Sequence, residues 1–333
     1  MSQSKKKGAV NRSVEKAPSS KAVNGDRKAR RTAFIIAAVV ITLILSIILV
    51  SLYIGSAPFR RTIIIVDDTS INIAYFLKRA RLTGADPTAM LQSLTNELII
   101  KIQAPRYGIE VRPEDIDQAL RTMFQGESET FDESGFKEWY RQQLNETGLS
   151  GAEFKDYVRT ALLTARLHEY LAERMPTVAE HVHLHIIILE TSEDAEKTRQ
   201  RWEDGEDFAD LAREVSLDEA TRDKGGDLGW VARGVMLPGF EHEVFELSPG
   251  DVSDPIPYLS DPSSTEAFYY LFMVSEKADN REMDEDSLET VRSQALENWL
   301  SQEIRFHKVT YHGLNNGFDS ETAAWLSWQL AKE

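Results

Sequence analysis

Cysteine is absent from this 333-residue sequence. Its absence excludes a disulfide framework, a thiolate zinc site, a cysteine nucleophile and an acyl-cysteine lipid anchor within these residues. Any chemistry must therefore come from other side chains. With 42% hydrophobic and 28% charged residues, the chain is neither wholly disordered nor a polytopic membrane protein. At roughly 100–200 residues per domain, the length predicts two folded units.

Acidic and large apolar residues are scarce in the first 32 residues. This segment holds ten basic side chains and two acidic ones, so it carries +8 while the rest of the chain carries −24 of the total of −16. A segment so poor in apolar surface cannot offset the entropy that folding removes. We therefore predict a disordered basic tail over residues 1–32. The acidic remainder argues against nucleic acid as a partner.

Charged residues are missing from the 22-residue run Ala33–Ile54. At about 1.5 Å per residue it spans roughly 33 Å, which predicts a single transmembrane helix. The basic residues before it place the tail in the cytoplasm and residues 58–333 outside, by the positive-inside rule. A cleaved signal peptide is the alternative, although the run is longer than a typical signal core. Either way the folded part is exported.

Residues 60–178 are predicted to form a helical domain. The run Thr62–Val66 reads as a strand, followed by the turn Asp67–Ser70 that leads into a helix. Later segments begin with helix-capping patterns at Asp86, Arg112 and Ser150. Apolar side chains at helical spacing follow each of these starts, as expected for helices that pack together.

Residues 181–276 change to a mixed pattern. The strand His181–Leu189 is followed by two helical segments, the glycine-rich turn Lys224–Trp230, a short helix around Phe240 to Phe245 and a strand Phe268–Val274. The order is therefore strand, helices, strand, helix, strand.

Several segments of this region together resemble the parvulin family of peptidyl-prolyl cis/trans isomerases. They are Val182–Ile188, Gly205–Ala212, Ser216–Asp218, Gly225–Trp230, Met236 with Phe240-Glu241, and Leu247–Ser253. The whole layout is similar to exported bacterial foldases of the PrsA, SurA and PpiD type. This resemblance implies an α+β fold in which a parvulin-like α/β module, residues 181–276, is inserted into a helical SurA-N-like chaperone domain. The C-terminal helices of residues 284–333 are expected to complete that domain.

Turning a prolyl bond requires no covalent step and no cofactor. The barrier is near 20 kcal/mol and the uncatalysed reaction takes about 10–100 s, because amide resonance is lost in the twisted state. A site that excludes water, holds the proline ring and hydrogen-bonds the twisted imide stabilises that state over the ground state. An apolar pocket with polar groups at its edge is therefore sufficient to catalyse the isomerisation.

The resemblance implies which residues form this site. Leu228, Met236 and Phe240 would line the proline pocket, and His185 and Asp218 would supply its polar edge. The family's last strand usually carries a second histidine that faces the first. Tyr270 stands at that position here, and its hydroxyl can both donate and accept a hydrogen bond. Each residue also has a simpler structural interpretation. His185 would be a hydrogen-bonded strand histidine, Met236 and Phe240 would be core side chains, and Asp218 would be a residue of a helix end or turn.

A metal site was the other interpretation of this strand. His181, His183 and His185 alternate, so they are expected on one face, where they would chelate zinc. The resemblance accounts for His185 alone and no cysteine supplements the set, so the sequence predicts no metal.

The sequence thus predicts a membrane-anchored extracytoplasmic foldase. It would bind unfolded, newly exported polypeptides and isomerise their prolyl bonds. The alternative is a holdase chaperone or assembly scaffold whose parvulin-like module binds peptide without catalysis. Client proteins and oligomeric state are not predicted.

Overall fold

The computed structural model describes residues 38–49, 53, 57–126, 131–259, 267–315 and 317–332. Within the predicted membrane helix Ala33–Ile54, residues 38–49 form a helix, α1, and of the remainder only Tyr53 is described. Among the described residues, no helix has both the length and the apolar character needed to cross a membrane. The predicted disordered tail, residues 1–32, lies outside the described residues.

The first half of the chain is mainly helical. Its elements are β1 (Thr62–Val66), β2 (Thr69–Asn72), α2 (Ile73–Thr83), α3 (Pro87–Gln103), α4 (Pro113–Gln125), α5 (Glu133–Thr147) and α6 (Gly151–Ala172). The three helix starts predicted at Asp86, Arg112 and Ser150 are confirmed as the N-caps of α3, α4 and α6. The turn after β1 leads first into a second strand, which pairs antiparallel with β1, before α2 begins.

The second half contains a four-stranded antiparallel sheet. Its elements are β3 (Val178–Leu189), α7 (Ser192–Glu203), α8 (Phe208–Val215), β4 (Asp227–Ala232), α9 (Pro238–Glu246), β5 (Ile256–Tyr258) and β6 (Phe268–Glu282). The strand order is β4-β3-β6-β5. The predicted strands and the predicted helices between them are all present. Strand β5 was not predicted, and β6 continues eight residues past its predicted end at Val274.

The C-terminal elements return to the first half of the chain. They are α10 (Glu285–Ser293), α11 (Ala295–Glu303), β7 (Val309–Tyr311) and α12 (Ser320–Leu330). The helical pattern from Asp284 to His307 is not one helix, because Gln294 breaks it between α10 and α11. Strand β7 pairs with β1, and Leu326 of α12 is fully buried in the core formed by β1, α2 and α3. Segments on both sides of the four-stranded sheet therefore build one helical body.

A buried ion pair joins α2 to α3 in this body. The Arg79 guanidinium is 2% exposed and donates to both carboxylate oxygens of Glu97, at 2.6 and 2.8 Å. It also lies 4.5 Å from the centre of the Tyr157 ring, on α6. Burial alone lowers the pKa of Arg79, but the Glu97 carboxylate more than offsets this and the net pKa is raised. The guanidinium therefore stays charged in the folded protein. The free energy of unfolding consequently depends on Glu97, which supplies the counter-charge.

Substituting Glu97→Gln is expected to lower the free energy of unfolding by about 3 kcal/mol, because it leaves a buried charge without its counter-charge. Urea unfolding followed by far-UV circular dichroism measures this. The matched control is Glu138→Gln, which removes a carboxylate paired with Arg141 on the exposed surface of α5 and should leave the midpoint unchanged. Equal effects of the two substitutions would contradict the role given to the buried pair.

A second polar contact joins the turn after β1 to the segment that precedes β7. Asp67 occupies the left-handed region, with φ of 52°, at the turn of the β1–β2 hairpin. Its carboxylate accepts hydrogen bonds from His307 Nδ1 at 2.6 Å and from the Lys308 backbone N–H at 2.9 Å. The hydrogen bond from His307, followed by that from Lys308, lowers the pKa of Asp67 below its ordinary value.

Because folding lowers the pKa of Asp67, its contribution to stability is present above about pH 3.8 and is lost as the pH falls through the lower, folded value. We expect Asp67→Asn to reduce the urea midpoint at pH 6, and the difference from the unmodified protein to shrink below pH 4. The adjacent exposed Asp68→Asn is the control and should match the unmodified protein. A difference that stays constant between pH 3 and pH 6 would disprove the linkage.

Candidate functional site

The two faces of strand β3 contact different layers of the module. Alternate side chains on a strand point to opposite faces. Leu184, Ile186 and Ile188 belong to the apolar cluster that includes α9. Ile187 and Leu189 belong to the cluster formed with α7 and α8. The strand therefore separates an α9 side from an α7–α8 side.

An aromatic pocket lies on the α9 side. The Tyr270 ring centre is 4.9 Å from that of Phe240 and 5.8 Å from that of Tyr258. Phe240 also contacts Tyr258, at 5.3 Å between ring centres, and Met236 packs into the same cluster. The structure thus brings together Met236, Phe240 and Tyr270, three residues that the sequence assigned to the site. Tyr258 was missed because its strand, β5, was not predicted.

The Tyr270 hydroxyl keeps its proton in this pocket. Burial, with smaller contributions from Tyr258 and the Asp218 carboxylate, raises the pKa of Tyr270 above its ordinary value of 10.0. The phenol is therefore protonated throughout the neutral range. A protonated hydroxyl beside an apolar surface can donate to a carbonyl oxygen of a bound peptide.

Asp218 lies at the edge of this pocket and also supports a turn. Its carboxylate accepts a hydrogen bond from the Thr221 hydroxyl and a longer one, 3.4 Å, from the Ala220 backbone N–H. The carboxylate is half-buried and close enough to affect the titration of Tyr270. Asp218 can therefore stabilise this turn and also supply the polar edge of the pocket.

Leu228 stands apart from the buried part of the pocket. It lies at a register shift in β4, where His185 pairs with Asp227 and Leu184 pairs with Gly229. Its side chain is 47% exposed. Leu228 is therefore exposed, and the apolar clusters formed by buried residues do not include it.

His185 does not face Tyr270. The register pairs His185 with Met273 and Ile188 with Tyr270, so the two side chains lie three residues apart along the ladder and on opposite faces of the sheet. The expectation that Tyr270 stands opposite His185, where the resembled family has its second histidine, is not met by the strand register. The hydroxyl closest to His185 instead belongs to Ser275, at 3.2 Å from Nε2.

Ser275 joins His185 to His183, and the sequence did not predict this contact. Its hydroxyl oxygen is 2.9 Å from His183 Nδ1, and the two histidine rings are 5.3 Å apart. Burial lowers the pKa of His185, so this ring is neutral at neutral pH. His181 takes no part in this contact, since its Nδ1 lies 3.0 Å from the Ala179 carbonyl oxygen. The three histidines therefore do not act as one set.

Two glycines bring the loop before β4 against His185 and its strand. Gly225 and Gly226 have φ of 72° and 77°, values that favour glycine. A Cβ atom on Gly226 would lie 2.5 Å from the Ile186 carbonyl oxygen. The Gly226 carbonyl oxygen itself accepts a hydrogen bond from the Ile186 N–H at 2.9 Å. The Gly-Gly pair in the sequence thus marks a close approach of two backbones.

Comparison with known families agrees with this architecture. Residues 188–276 match the family model described as a PPIC-type PPIASE domain, and residues 27–168 match that of a SurA-like N-terminal domain. The four-stranded module therefore resembles a PPIC-type isomerase domain, and the first part of the helical body resembles a SurA-like N-terminal domain.

Individual relatives are foldases and chaperones. The foldase protein PrsA of Oceanobacillus iheyensis is 32% identical over 166 residues, which cover 49% of this chain and 54% of that protein. PrsA of Halalkalibacterium halodurans is 28% identical over 64% of this chain and 66% of that protein. The chaperone SurA of Nitrosococcus oceani is 32% identical over 35% of this chain and 28% of that protein. The chain spans about half the length of the first curated relatives it matches.

A solved structure, that of the peptidylprolyl isomerase PrsA from Bacillus anthracis, is 19% identical, with a TM-score of 0.36 over 72% of this chain and 95% of that chain. By the two family models, residues 188–276 are similar to PPIC-type isomerase domains and residues 27–168 to SurA-like N-terminal domains, and the sequence relatives that share these regions include PrsA foldases and a SurA chaperone.

The pKa of Tyr270 provides a test of the pocket. In protein labelled with ¹³C at the tyrosine ring carbons, the signal lost in Tyr270→Phe identifies this residue, and its titration midpoint should exceed 10. Because burial is the main cause, Phe240→Ala should return the midpoint toward 10 by more than Asp218→Asn does. An ordinary midpoint in the unmodified protein, or the opposite ranking of the two variants, would contradict the described packing.

Proposed function

We propose that the protein is a membrane-anchored extracytoplasmic foldase that binds unfolded exported polypeptides and catalyses cis/trans isomerisation of their prolyl bonds. The observation that carries the proposal is the cluster in which Met236 and Phe240 pack with Tyr270, whose ring centre lies 4.9 Å from that of Phe240. An apolar surface holds the proline ring, and a donor in a site of low polarity stabilises the twisted imide.

The role proposed for each site residue follows from its place on the sheet and in the aromatic pocket. Met236, Phe240 and the exposed Leu228 form the floor and rim of the proline pocket, and Tyr270 supplies a donor on the same face. Asp218 completes the polar edge. His185, on the other face of β3, acts through the strand by its hydrogen bond to Ser275 and not by contact with the twisted bond.

Binding of unfolded chains is supported by the aromatic surface of α5. No residue of α5 is fully buried, although the helix carries Phe136 and Trp139. These rings contact Phe124 of α4 at 5.9 Å, and all three are only partly buried. Partly exposed aromatic clusters mark surfaces that bind other chains.

The anchor and the orientation rest on the sequence. The uncharged run Ala33–Ile54 is long enough to span a bilayer, and the +8 tail before it favours the cytoplasmic side. Residues 58–333, which include both folded parts, would then lie outside the cytoplasm.

The second candidate function is a holdase or assembly scaffold without isomerase activity. It is favoured by one observation, the separation of His185 from Tyr270 on opposite faces of the sheet. In this case the pocket would bind peptide and leave the prolyl barrier unchanged.

A refolding assay distinguishes the two candidates. The purified full chain in detergent is added to a client whose refolding is limited by a prolyl bond, and suppression of aggregation is measured separately with a client that lacks this limit. We expect acceleration of the first reaction. Phe240→Ala should reduce kcat/KM about 10–100-fold, because burial of such a side chain contributes roughly 1.5–3 kcal/mol.

The matched control for this assay is Phe306→Ala, whose side chain is 80% exposed and outside the module. It should leave the acceleration unchanged. Suppressed aggregation without any acceleration would establish the holdase. Acceleration that persists in both Phe240→Ala and Tyr270→Phe would show that this pocket is not the catalytic site.

A further inference from the structure

A second group of polar side chains lies on β3 and β4, on the face of the sheet opposite the pocket. Asp227 is the register partner of His185, and His183 lies two residues away on the same strand. One nitrogen from each ring and one oxygen of Asp227 all lie within 4.8 Å of one another. His183 Nε2 is 3.6 Å from Asp227 Oδ1.

Ser275 contacts both rings. Its oxygen lies 2.9 Å from His183 Nδ1 and 3.2 Å from His185 Nε2, and 3.2 Å from the His183 carbonyl oxygen. The two ring nitrogens that Ser275 does not contact are His183 Nε2, beside Asp227, and His185 Nδ1.

His185 Nδ1 is buried, and among the residues that the structure describes it has no hydrogen-bond partner. A buried nitrogen with an unused lone pair costs free energy unless a donor or a cation satisfies it.

The donors suit a divalent transition metal. Two imidazoles and a carboxylate are ligands that zinc accepts, at about 2.0–2.2 Å, which places neighbouring ligand atoms roughly 3.3 Å apart. The separation of 3.6 Å between His183 Nε2 and Asp227 Oδ1 is close to this value. Asp227 is also oriented by the Gly229 N–H, which donates to Oδ1 at 2.8 Å, and His183 by Ser275. Hydrogen bonds of this kind, made to the ligand side chains by neighbouring groups, hold metal ligands in position.

We infer that His183, His185 and Asp227 form a zinc-binding site. The partial exposure of His183 and Asp227, 23% and 41%, lets water complete the coordination. Bound zinc ties β3 to β4 at the register shift, next to the contact that Ser275 of β6 makes with β3. Its effect is to stabilise the module from the side away from the aromatic pocket.

Calorimetric titration of the tag-free, chelator-treated full chain with ZnCl₂ tests this site. We expect one zinc per chain, and a rise of the module's Tm by about 5 °C or more at roughly 100-fold excess over Kd. Co²⁺ in place of Zn²⁺ should give the visible absorption of a four-coordinate site. Asp227→Asn and His183→Gln should each weaken zinc binding more than about tenfold, since loss of even an outer contact costs 10–100-fold.

His242→Gln is the matched control, because His242 is an exposed histidine on α9, outside the group. It should bind zinc like the unmodified protein. The site is disproved if the unmodified chain binds no zinc, if Asp227→Asn binds as tightly as the unmodified chain, or if His242→Gln causes the same loss. Circular dichroism without metal verifies folding. Asp227 is partly exposed, so its variant decides the outcome should His183→Gln not fold.

Discussion

The pairing of β1 with β7 is the contact on which the architecture depends. It joins segments separated by more than 240 positions, Ile64 to Tyr311 and Val66 to Val309. The entropic cost of closing a loop grows only slowly with its length, so a whole folded module can lie between the partners. The Asp67 carboxylate reinforces the closure from the hairpin turn, and α12 covers the same core. The helical body is therefore complete only when the chain has passed through the four-stranded sheet and returned.

Strand β3 supports two separate chemistries because its side chains alternate. On one side it is apolar and meets the aromatic rings of Phe240 and Tyr270. On the other it carries His183 and His185 against Ser275 and Asp227. A shift of register by one residue would exchange the two faces. The register shifts beside His183 and His185 consequently decide which groups can act together.

Local signals in the sequence predicted much of the fold, and contacts between distant strands could not be predicted in the same way. The caps at Asp86 and Ser150 act within four residues, so they can be read directly. The segments shared with parvulins located Met236 and Phe240 in one pocket. Pairing of Tyr270 with Ile188 depends on the register of β6, which no local pattern specifies. Ser275 and Asp227 were missed for the same reason, as their partners come from other strands. The break at Gln294 was also missed, because apolar spacing continues across it.

The ends of the isomerase module are themselves neighbours. Val178, the first residue of β3, is the register partner of Glu282, the last residue of β6. Residues paired across antiparallel strands are only about 5 Å apart, a gap that a two-residue turn can close. The module therefore leaves and rejoins the helical body at one narrow joint, so its length and internal fold place little constraint on the chain path of that body.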